Sequence, residues 1–427
     1  MRVAIIGAGA SGLAAARVFS RNGIEPIVLE KDRHCGGVWH YEPNSKTRPM
    51  YRGLRTNLPK EIMQFREFPF PKKGDGEEDP SFVTHQRVQE YLESYQDHFD
   101  LSQYIHYGCE VSKLEIVQDS KSKASPSSAE EIWPQIRLEW RQDEPQQQQQ
   151  PTTTTELFDA CLVANGHYAK PAYAKIPGLK EHFQGRVMHS IEYDNPADFQ
   201  DQRVLCVGGR ASGSDMAREI APYARQVYMS DSTCQLQPGE EPEQHGNIMG
   251  VPLTVEVHAD GSIRFQNCTT VSPTVDCICF CTGYDYEFPF LLNHENDHDA
   301  SSSNILQCIP GERRVMPLYE QLWHAHYPTL SFLGIPHSVV PFPEVELQAE
   351  AIHAQYCVKN ALPPLQERIQ AAQEDARSGG AKENGRVQDT HYLGGAQWEY
   401  CRKMAKLAGL LDETVDNYIA VNQVSFS

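Results

Sequence analysis

The chain has 427 residues, of which 40% are hydrophobic and 22% charged, so it is long enough for two or three domains and too apolar for general disorder. Its formal net charge of −19, from 38 basic and 57 acidic residues, repels phosphate backbones and anionic lipid, and this disfavours nucleic acids and membrane surfaces as partners. Twelve scattered cysteines without a C-x-x-C pair do not make a disulfide framework, and a reducing, cytoplasmic location is expected.

The first predicted unit is a strand, a glycine turn, a helix and a second strand, running from Val3 to Glu30. Its turn, G-A-G-A-S-G, follows the apolar strand R-V-A-I-I and opens the helix L-A-A-A-R-V-F. In a dinucleotide-binding turn the first glycine permits the tight bend, the second lets a pyrophosphate approach, and the third lets helix and strand pack closely. Glu30 follows the last glycine by eighteen residues, where a carboxylate accepts from ribose hydroxyls. The candidate cofactor-binding residues here are Gly7, Ala8, Gly9, Ala10, Ser11, Gly12 and Glu30.

The glycines also bear on targeting, because they interrupt the apolar run where a secretory leader would be helical. A leader is therefore not expected. No run of eighteen apolar residues occurs in the sequence, so no transmembrane anchor is expected either.

A second glycine pair follows at Gly36–Trp39, which reads G-G-V-W. It resembles the second fingerprint of FAD-binding oxidoreductases and places Gly37, Val38 and Trp39 beside the first nucleotide. The alternative is an ordinary glycine turn with a buried Trp39.

The middle and end of the chain hold further predicted elements. The spacing of apolar residues predicts helices at Arg87–Phe99, Val345–Asn360 and Gln397–Ala408, and A-D-G-S at Ala259–Ser262 predicts a hairpin turn. The piece I-W-P-Q-I-R-L-E-W predicts a hairpin with disordered ends. Four polar segments are expected to be solvated loops without function: Ser120–Glu131, Gln142–Thr155, Glu295–Asn304 and Glu374–Gln388.

A second strand–turn–helix–strand unit runs from Val204 to Ser230, and two such units imply two nucleotide sites. Its turn is irregular, because Arg210 stands at the middle glycine. That side chain either crowds the pyrophosphate or swings out and pairs with phosphate. The candidate residues of this site are Gly208, Arg210, Ser212, Gly213, Ser214 and Asp215.

After the second strand of this unit come Asp231-Ser232-Thr233, without Arg or Lys, and an acid here favours an unphosphorylated ribose. Arg210 or Arg225 remain as cations that could compensate. Farther along, Cys277, Cys279 and Cys281 alternate, which predicts one face of a packed strand rather than a zinc site, so no metal is expected.

Residues 183–193, F-Q-G-R-V-M-H-S-I-E-Y, match the pattern F-x-G-x-x-x-H-x-x-x-Y of the flavin-containing monooxygenases. Tyr193 separates the chain from the Baeyer–Villiger relatives, which place Trp there. His189 is expected to be a fixed hydrogen-bonding residue between domains rather than an acid or base.

The segment L-R-T-N-L-P-K-E-I-M-Q-F resembles the family segment with its active-site asparagine, here Asn57 after Thr56. L-V-A-N-G-H-Y-A-K-P, F-C-T-G-Y and F-L-G-I-P resemble the family's interdomain crossings.

The resemblance implies an α/β fold of two Rossmann-like dinucleotide-binding domains, with the NADP domain inserted into a discontinuous FAD domain. The expected division is 1–167 for the first part of the FAD domain, 168–283 for the NADP(H) domain, and 284–427 for the second part of the FAD domain with C-terminal helices. FAD and NADPH are the implied cofactors, with NADH not excluded. The sequence of residues 54–65 resembles the soluble insect, fungal and plant branches more than the membrane-tethered vertebrate enzymes. Pyrrolizidine-alkaloid N-oxygenases belong to the arthropod branch.

The implied reaction is N- or S-oxygenation of small soft nucleophiles by O2 through a flavin 4a-hydroperoxide. Asn57 is implied as the catalytic residue, hydrogen-bonding near flavin and nicotinamide; the alternative is a turn residue before Leu58-Pro59. Three rival functions remain: Baeyer–Villiger oxygenation of ketones, an uncoupled NADPH oxidase releasing H2O2, and a non-catalytic FAD-binding scaffold. Cys35 stands alone near the expected flavin, which excludes the disulfide reductases. The oligomeric state is open, with a homodimer as one outcome.

Overall fold

The computed structural model describes residues 1–72, 78–117, 133–142, 152–235, 244–266, 271–272, 275–291, 305–309, 311–357, 362–378, 385–410, 416 and 418–420. The strands are β1 (Val3–Ile6), β2 (Pro26–Glu30), β3 (Ile105–Tyr107), β4 (Cys109–Val117), β5 (Gln135–Gln142), β6 (Thr152–Phe158), β7 (Ala160–Val163), β8 (Lys170–Pro171), β9 (Arg186–His189), β10 (Arg203–Val207), β11 (Gln226–Ser230), β12 (Gln244–His245), β13 (Ile248–Val251), β14 (Thr254–Val257), β15 (Ile263–Phe265), β16 (Val271–Ser272), β17 (Cys277–Phe280), β18 (Tyr284–Asp285), β19 (Gln307–Cys308), β20 (Val315–Met316), β21 (Leu318–Tyr319), β22 (Trp323–His324) and β23 (Leu330–Phe332).

The helices are α1 (Ala10–Arg21), α2 (Lys60–Met63), α3 (His85–His98), α4 (Leu179–His182), α5 (Ala211–Ile220), α6 (Pro341–Cys357), α7 (Leu365–Ser378) and α8 (Gln397–Leu407). Short 3₁₀ turns add Gly37–Trp39, Leu101–Tyr104, Ser190–Glu192, Pro196–Phe199, Pro289–Leu291, Val387–Asp389 and Gly394–Ala396. Across the described residues, no helix combines the length and apolar character needed to cross a bilayer.

The chain forms two compact units. Unit 1 comprises Met1–His40, Arg55–His167 and Tyr286–Ser427, and unit 2 comprises Tyr41–Leu54 and Tyr168–Asp285. Residues 41–54, predicted to belong to the first domain, lie in unit 2 instead. Within unit 2 the Tyr51 ring packs edge-on against Tyr193 at 5.0 Å between ring centroids, and the Tyr41 hydroxyl donates to Asp194 at 2.8 Å.

Unit 1 is built on a seven-stranded sheet in the order β21-β22-β23-β7-β1-β2-β3. The strands from β23 to β3 are parallel, and β22 and β21 continue the sheet antiparallel. Strand β1 is buried on both faces: Val3 and Ile5 join a core with α1, α3, α6 and α8, whereas Ala4 and Ile6 join a core with the antiparallel sheet β4-β5-β6. A strand covered on both faces reads as a continuous apolar run, which is the R-V-A-I-I seen in the sequence.

Unit 2 repeats this plan with a six-stranded sheet in the order β12-β13-β11-β10-β17-β9. Its strands are parallel from β13 to β9, and β12 pairs antiparallel. Cys277, Cys279 and Cys281 all lie in one core, and the intervening Ile278 and Phe280 lie in the other. The predicted packed strand is confirmed, because side chains alternate between the two faces of a strand.

Most predicted helices and turns are confirmed, including α3, α6 and α8 and the hairpin between β14 and β15, whose Gly261 has φ of +81°. Thr84 caps the N-terminus of helix α3: its side chain accepts a hydrogen bond from the Arg87 amide at 3.4 Å and so satisfies one free N–H of the first turn.

Three loop and hairpin predictions were wrong in part. The predicted hairpin is the central strand β5 of a three-stranded sheet, and residues 152–155 form strand β6 instead of a loop. Residues 374–378 belong to helix α7. The predicted loops at 120–131 and 295–304 lie outside the described residues, as do 143–151 and 379–384.

Candidate functional site

The first glycine turn connects β1 to α1 in unit 1. Gly7 has φ of +103°, a conformation that favours glycine, and its amide donates to the Leu29 carbonyl at 2.8 Å. A Cβ at Gly7 would lie 2.6 Å from the Ala164 carbonyl oxygen, and one at Gly12 would lie 1.9 Å from the Gly7 carbonyl oxygen. Both glycines are therefore required by close backbone contacts, as predicted for the first and third glycines of the motif.

The second glycine pair packs directly against this turn. The Gly36 amide donates to the Ala8 carbonyl at 3.0 Å, and a Cβ at Gly37 would approach the Gly9 Cα to 3.1 Å. The structure therefore brings G-G-V-W to the turn that the sequence predicted as its neighbour. Trp39 is only half-buried, with its ring 6.4 Å from that of Phe342.

Glu30 ends β2 beside the same turn and is 5% exposed. Its carboxylate accepts hydrogen bonds from the Ala8 amide at 2.6 Å and the Asp32 amide at 2.8 Å. Burial raises the pKa of this carboxyl, and the two amide donors only partly offset the effect. Because a carboxylate has about four lone-pair sites, Glu30 keeps capacity for the hydroxyls of a ribose.

The second turn, in unit 2, has the same geometry 201 residues later. Gly208 has φ of +108°, and its amide donates to the Ser230 carbonyl at 2.8 Å. A Cβ at Gly208 would lie 2.6 Å from the Cys281 carbonyl oxygen, and one at Gly213 would lie 1.7 Å from the Gly208 carbonyl oxygen. The second turn therefore has the close backbone contacts predicted for its first and last glycines.

Arg210 does not distort this turn. Its backbone has φ −73° and ψ −169°, against −72° and −173° at Gly9, the corresponding position of the first turn. This is extended backbone that any residue adopts, so neither position requires glycine for its conformation. The Arg210 side chain is exposed.

The remaining predicted residues of unit 2 have different surroundings. Ser212 is exposed, and the Ser214 hydroxyl donates to the Gly209 carbonyl at 2.7 Å, which ties the helix to the turn. Asp215 pairs with Arg218 at 2.8 Å, one turn along α5, and burial raises the pKa of its carboxyl. Ser214 therefore has a structural role in the turn itself.

Thr56 and Asn57 lie before the short helix α2 in unit 1. The Thr56 amide donates to the Val83 carbonyl at 2.8 Å, and the residue is 5% exposed. Its hydroxyl oxygen has no hydrogen-bond partner among the described residues. The Asn57 side chain is exposed. A buried hydroxyl without a partner is uncommon in proteins and points to a ligand at this position.

Two supporting residues were not found from the sequence. The Gln89 side chain donates to the Cys35 carbonyl at 3.0 Å and lies where a Cβ on Gly36 would be, 2.0 Å from its Oε1. The Gln348 side chain accepts from the Gly334 amide at 2.9 Å, beside the Ser11 hydroxyl. Gln89 lies on α3, 54 residues from Cys35, and Gln348 lies on α6, 14 residues from Gly334. Neither has a local sequence signal, although Gly334 belongs to F-L-G-I-P.

The surroundings of His189 and Cys35 define what these two side chains do. His189 is fully buried, accepts from the Ile191 amide at Nδ1 and donates from Nε2 to the Gly283 carbonyl at 3.0 Å. It is therefore a fixed hydrogen-bonding residue, and the residues of these two hydrogen bonds lie in unit 2. Burial raises the pKa of the Cys35 thiol to about 12, so it stays protonated, and the described part of the chain holds no cluster of metal ligands.

The chain was compared with known families and structures. The model of a family described as flavin-binding monooxygenase-like matches residues 1–236. The chain is 34% identical over 429 residues to flavin-containing monooxygenase FMO GS-OX-like 4 of Arabidopsis thaliana, an alignment covering 95% of this chain and 87% of the relative.

Two solved structures are informative. S-allyl-L-cysteine S-oxygenase from Allium sativum is 30% identical with a TM-score of 0.82, covering 99% of this chain and 93% of that one. Cyclohexanone monooxygenase from Rhodococcus sp. Phi1 bound to NADP+ is 15% identical with a TM-score of 0.60, covering 96% and 97%, and shows likeness of fold alone.

Proposed function

The chain belongs to the flavin-binding monooxygenase-like family, and from this premise we propose that it transfers one atom of O2 to a nucleophilic nitrogen or sulfur atom of a small molecule. Its cofactors are FAD and NADPH, and its fold is α/β with two dinucleotide-binding units. Bound FAD supplies the oxygen-activating chemistry, which no protein side chain provides.

The observation that carries this proposal is the pair of glycine turns with equal backbone geometry, one in each unit. The turn at Gly7–Gly12 fits the pyrophosphate of FAD at the N-terminus of α1, and Glu30 is placed to accept from its ribose. The turn at Gly208–Gly213 fits the nicotinamide cofactor in the same way at α5. A chain that binds a flavin and a hydride donor can reduce the flavin and expose it to O2.

Two observations favour nitrogen or sulfur over ketones as the acceptor. The S-oxygenase from Allium sativum is twice as similar in sequence as the cyclohexanone monooxygenase, at 30% against 15% identity. The second is Tyr193 itself, which is buried and donates to the Glu219 carboxylate at 2.8 Å. This contact fixes a tyrosine at the position where the Baeyer–Villiger relatives resemble the pattern but place Trp.

Asn57 is part of the proposed site. Its exposed amide follows Thr56, whose buried hydroxyl has no partner among the described residues, so the Asn57 side chain is available to a ligand of unit 1. The proposed role of Asn57 is to donate from its amide near flavin and nicotinamide and so hold the reacting groups in place.

The test supplies the FAD-loaded protein with NADPH, ¹⁸O2 and one acceptor at a time: a methyl aryl sulfide, N,N-dimethylaniline, a pyrrolizidine alkaloid or cyclohexanone. For the sulfide, one oxygen atom forms the new S–O bond and the other leaves as water. NADPH supplies a hydride, which is two electrons and one proton, and solvent supplies the second proton of that water. We expect sulfoxide or N-oxide carrying one ¹⁸O atom per NADPH consumed, measured by mass spectrometry.

The other outcomes separate the rival functions. Lactone from cyclohexanone without sulfoxide or N-oxide would indicate ketone oxygenation. H2O2 equal to the NADPH consumed, with no oxygenated product, would indicate an uncoupled oxidase. A protein that binds FAD but consumes neither NADPH nor NADH would be a scaffold. Turnover of the alkaloid above the other acceptors would support the N-oxygenase branch.

A further inference from the structure

We propose that Asp231 determines which nicotinamide cofactor the chain binds, by accepting hydrogen bonds from an unphosphorylated adenine ribose, so that NADH binds at least as well as NADPH. This inference rests on the proposed function of unit 2 as the hydride-donor site. It goes further by naming the residue that reads the ribose.

The first argument is a correspondence between the two turns. The Gly209 amide donates to the Asp231 carboxylate at 3.0 Å, as the Ala8 amide donates to Glu30 at 2.6 Å. Donor and acceptor are separated by 22 residues in both cases. Asp231 therefore occupies in unit 2 the position that Glu30 occupies in unit 1. FAD has a free ribose at that position, and the same chemistry in unit 2 fits a free ribose as well.

The second argument is the charge of this carboxyl. Burial would raise its pKa, but hydrogen bonds from Thr233 and Gly209 and the charge of Arg210 outweigh that effect, so the pKa of Asp231 lies below its usual value. Asp231 is thus an anion at neutral pH. A 2′-phosphate carries close to two negative charges, and placing it beside this anion costs electrostatic energy.

The third argument is the lack of cations in the sequence around the end of β11. From Gln226 to Ile263 the sequence contains no Arg or Lys, and it contains six acids, including Asp231. Arg225 precedes β11, so it lies a whole strand of five residues, about 16 Å, from the end that Asp231 follows. Arg210 is near enough to Asp231 for its charge to help to lower the pKa of that carboxyl.

The experiment titrates the FAD-loaded protein with NAD+ and with NADP+ by calorimetry, which needs no turnover. We expect NAD+ to bind at least as tightly as NADP+. Asp231→Asn should weaken NAD+ by about tenfold, because hydrogen bonds to a charged acceptor are lost, and should leave NADP+ equal or tighter. Flavin absorbance and the melting temperature report whether the variant is folded.

Asp260→Asn is the matched control. The Asp260 carboxylate accepts from the amide and hydroxyl of Ser262, as Asp231 does from Thr233, but in the hairpin between β14 and β15 rather than at the glycine turn. The Asp260→Asn variant should bind NAD+ and NADP+ with the same affinities as the unchanged protein.

The inference is overturned if the unchanged protein binds NADP+ more than about tenfold tighter than NAD+, if it binds neither, or if Asp231→Asn leaves the ratio as it was. A protein that prefers NAD+ but forms no oxygenated product would contradict the proposed function and leave this inference standing. A protein that oxygenates substrate and binds only NADP+ would contradict this inference and leave the proposed function standing.

Discussion

Asn57 is the residue on which the proposed chemistry depends most. Because its side chain is exposed and lies outside the apolar cores, Asn57→Ala should leave the fold and the bound FAD intact. Product formation should fall by about 100-fold, the size expected when a group that positions reactants is removed. The measurement is oxygenated product per unit time, with flavin absorbance as the check on FAD content.

The matched control is Asn22→Ala, because Asn22 is also an exposed asparagine but lies at the C-terminus of α1, away from the glycine turn. Its side-chain amide donates to the Val18 carbonyl at 2.8 Å. Its product formation should stay near that of the unchanged protein. Unchanged turnover in Asn57→Ala would instead mean that Asn57 is only a turn residue before Pro59.

Thr56 permits a prediction that is tested by the sign of a change in the free energy of unfolding. Its buried hydroxyl has no partner among the described residues, and such a group costs about 1–3 kcal/mol. Thr56→Val should therefore stabilise the FAD-free protein by about 1 kcal/mol and reduce the extra stability that added FAD confers. Urea unfolding with and without FAD measures both quantities.

Thr84 provides the control, because it forms an isolated bridge with Arg55 and its hydroxyl caps α3. Thr84→Val should destabilise the protein by about 1 kcal/mol, the opposite sign. If both variants are destabilised equally, the Thr56 hydroxyl is not an unsatisfied group awaiting a ligand.

At the scale of the element, the turn from β1 into α1 depends on close backbone packing. A Cβ at Gly12 would be 1.9 Å from the Gly7 carbonyl oxygen, so Gly12→Ala should force the helix away from the strand. We expect a loss of about 1–3 kcal/mol in the free energy of unfolding and loss of bound FAD on gel filtration. Gly395→Ala is the control, since a Cβ there meets no atom within 4 Å. A Gly12→Ala protein that stays yellow would contradict this account of the turn.

The same element shows what the sequence could predict. Both glycine turns and their acids were predictable because strand, turn and helix are adjacent in the chain, and each glycine answers a local contact. Residues 152–155 were not, because four threonines in a polar run look like a loop. Thr154 and Thr155 pair with Trp140 and Glu139 of β5, and β-branched residues suit such a strand once a partner is present. Gln89 and Gln348 were missed because their partners, Cys35 and Gly334, lie 54 and 14 residues away and leave no local pattern in the sequence.

At the scale of the whole molecule, three histidines with lowered pKa values make stability depend on pH. Burial lowers the pKa of His391 to about 3 and those of His167 and His324 to about 4. Because their folded pKa values lie below the ordinary value of about 6.5, the unfolded chain takes up protons first as the pH falls. Their contribution to stability is complete above pH 6.5 and is lost progressively toward pH 4.

His391 is the best probe, since its Nε2 accepts from the Val315 amide at 2.9 Å and must stay neutral to do so. His391→Gln removes the titrating group, so the stability advantage of the unchanged protein over this variant should shrink by about 1–2 kcal/mol between pH 7 and pH 5. The exposed His106→Gln serves as control, with a constant difference from the unchanged protein. A constant difference for His391→Gln as well would show that His391 does not remain neutral.

The short segment Tyr41–Leu54 has a consequence for how such chains can be recombined. It belongs to unit 2, where Arg52 and Tyr41 both contact the Asp194 carboxylate, at 3.5 and 2.8 Å. A chimera that exchanges only residues 168–285 with a homologue would set one parent's tyrosine and arginine against the other parent's aspartate. An exchange of unit 2 between relatives therefore has to include residues 41–54 together with 168–285, so that Asp194 and both of its partners come from one parent.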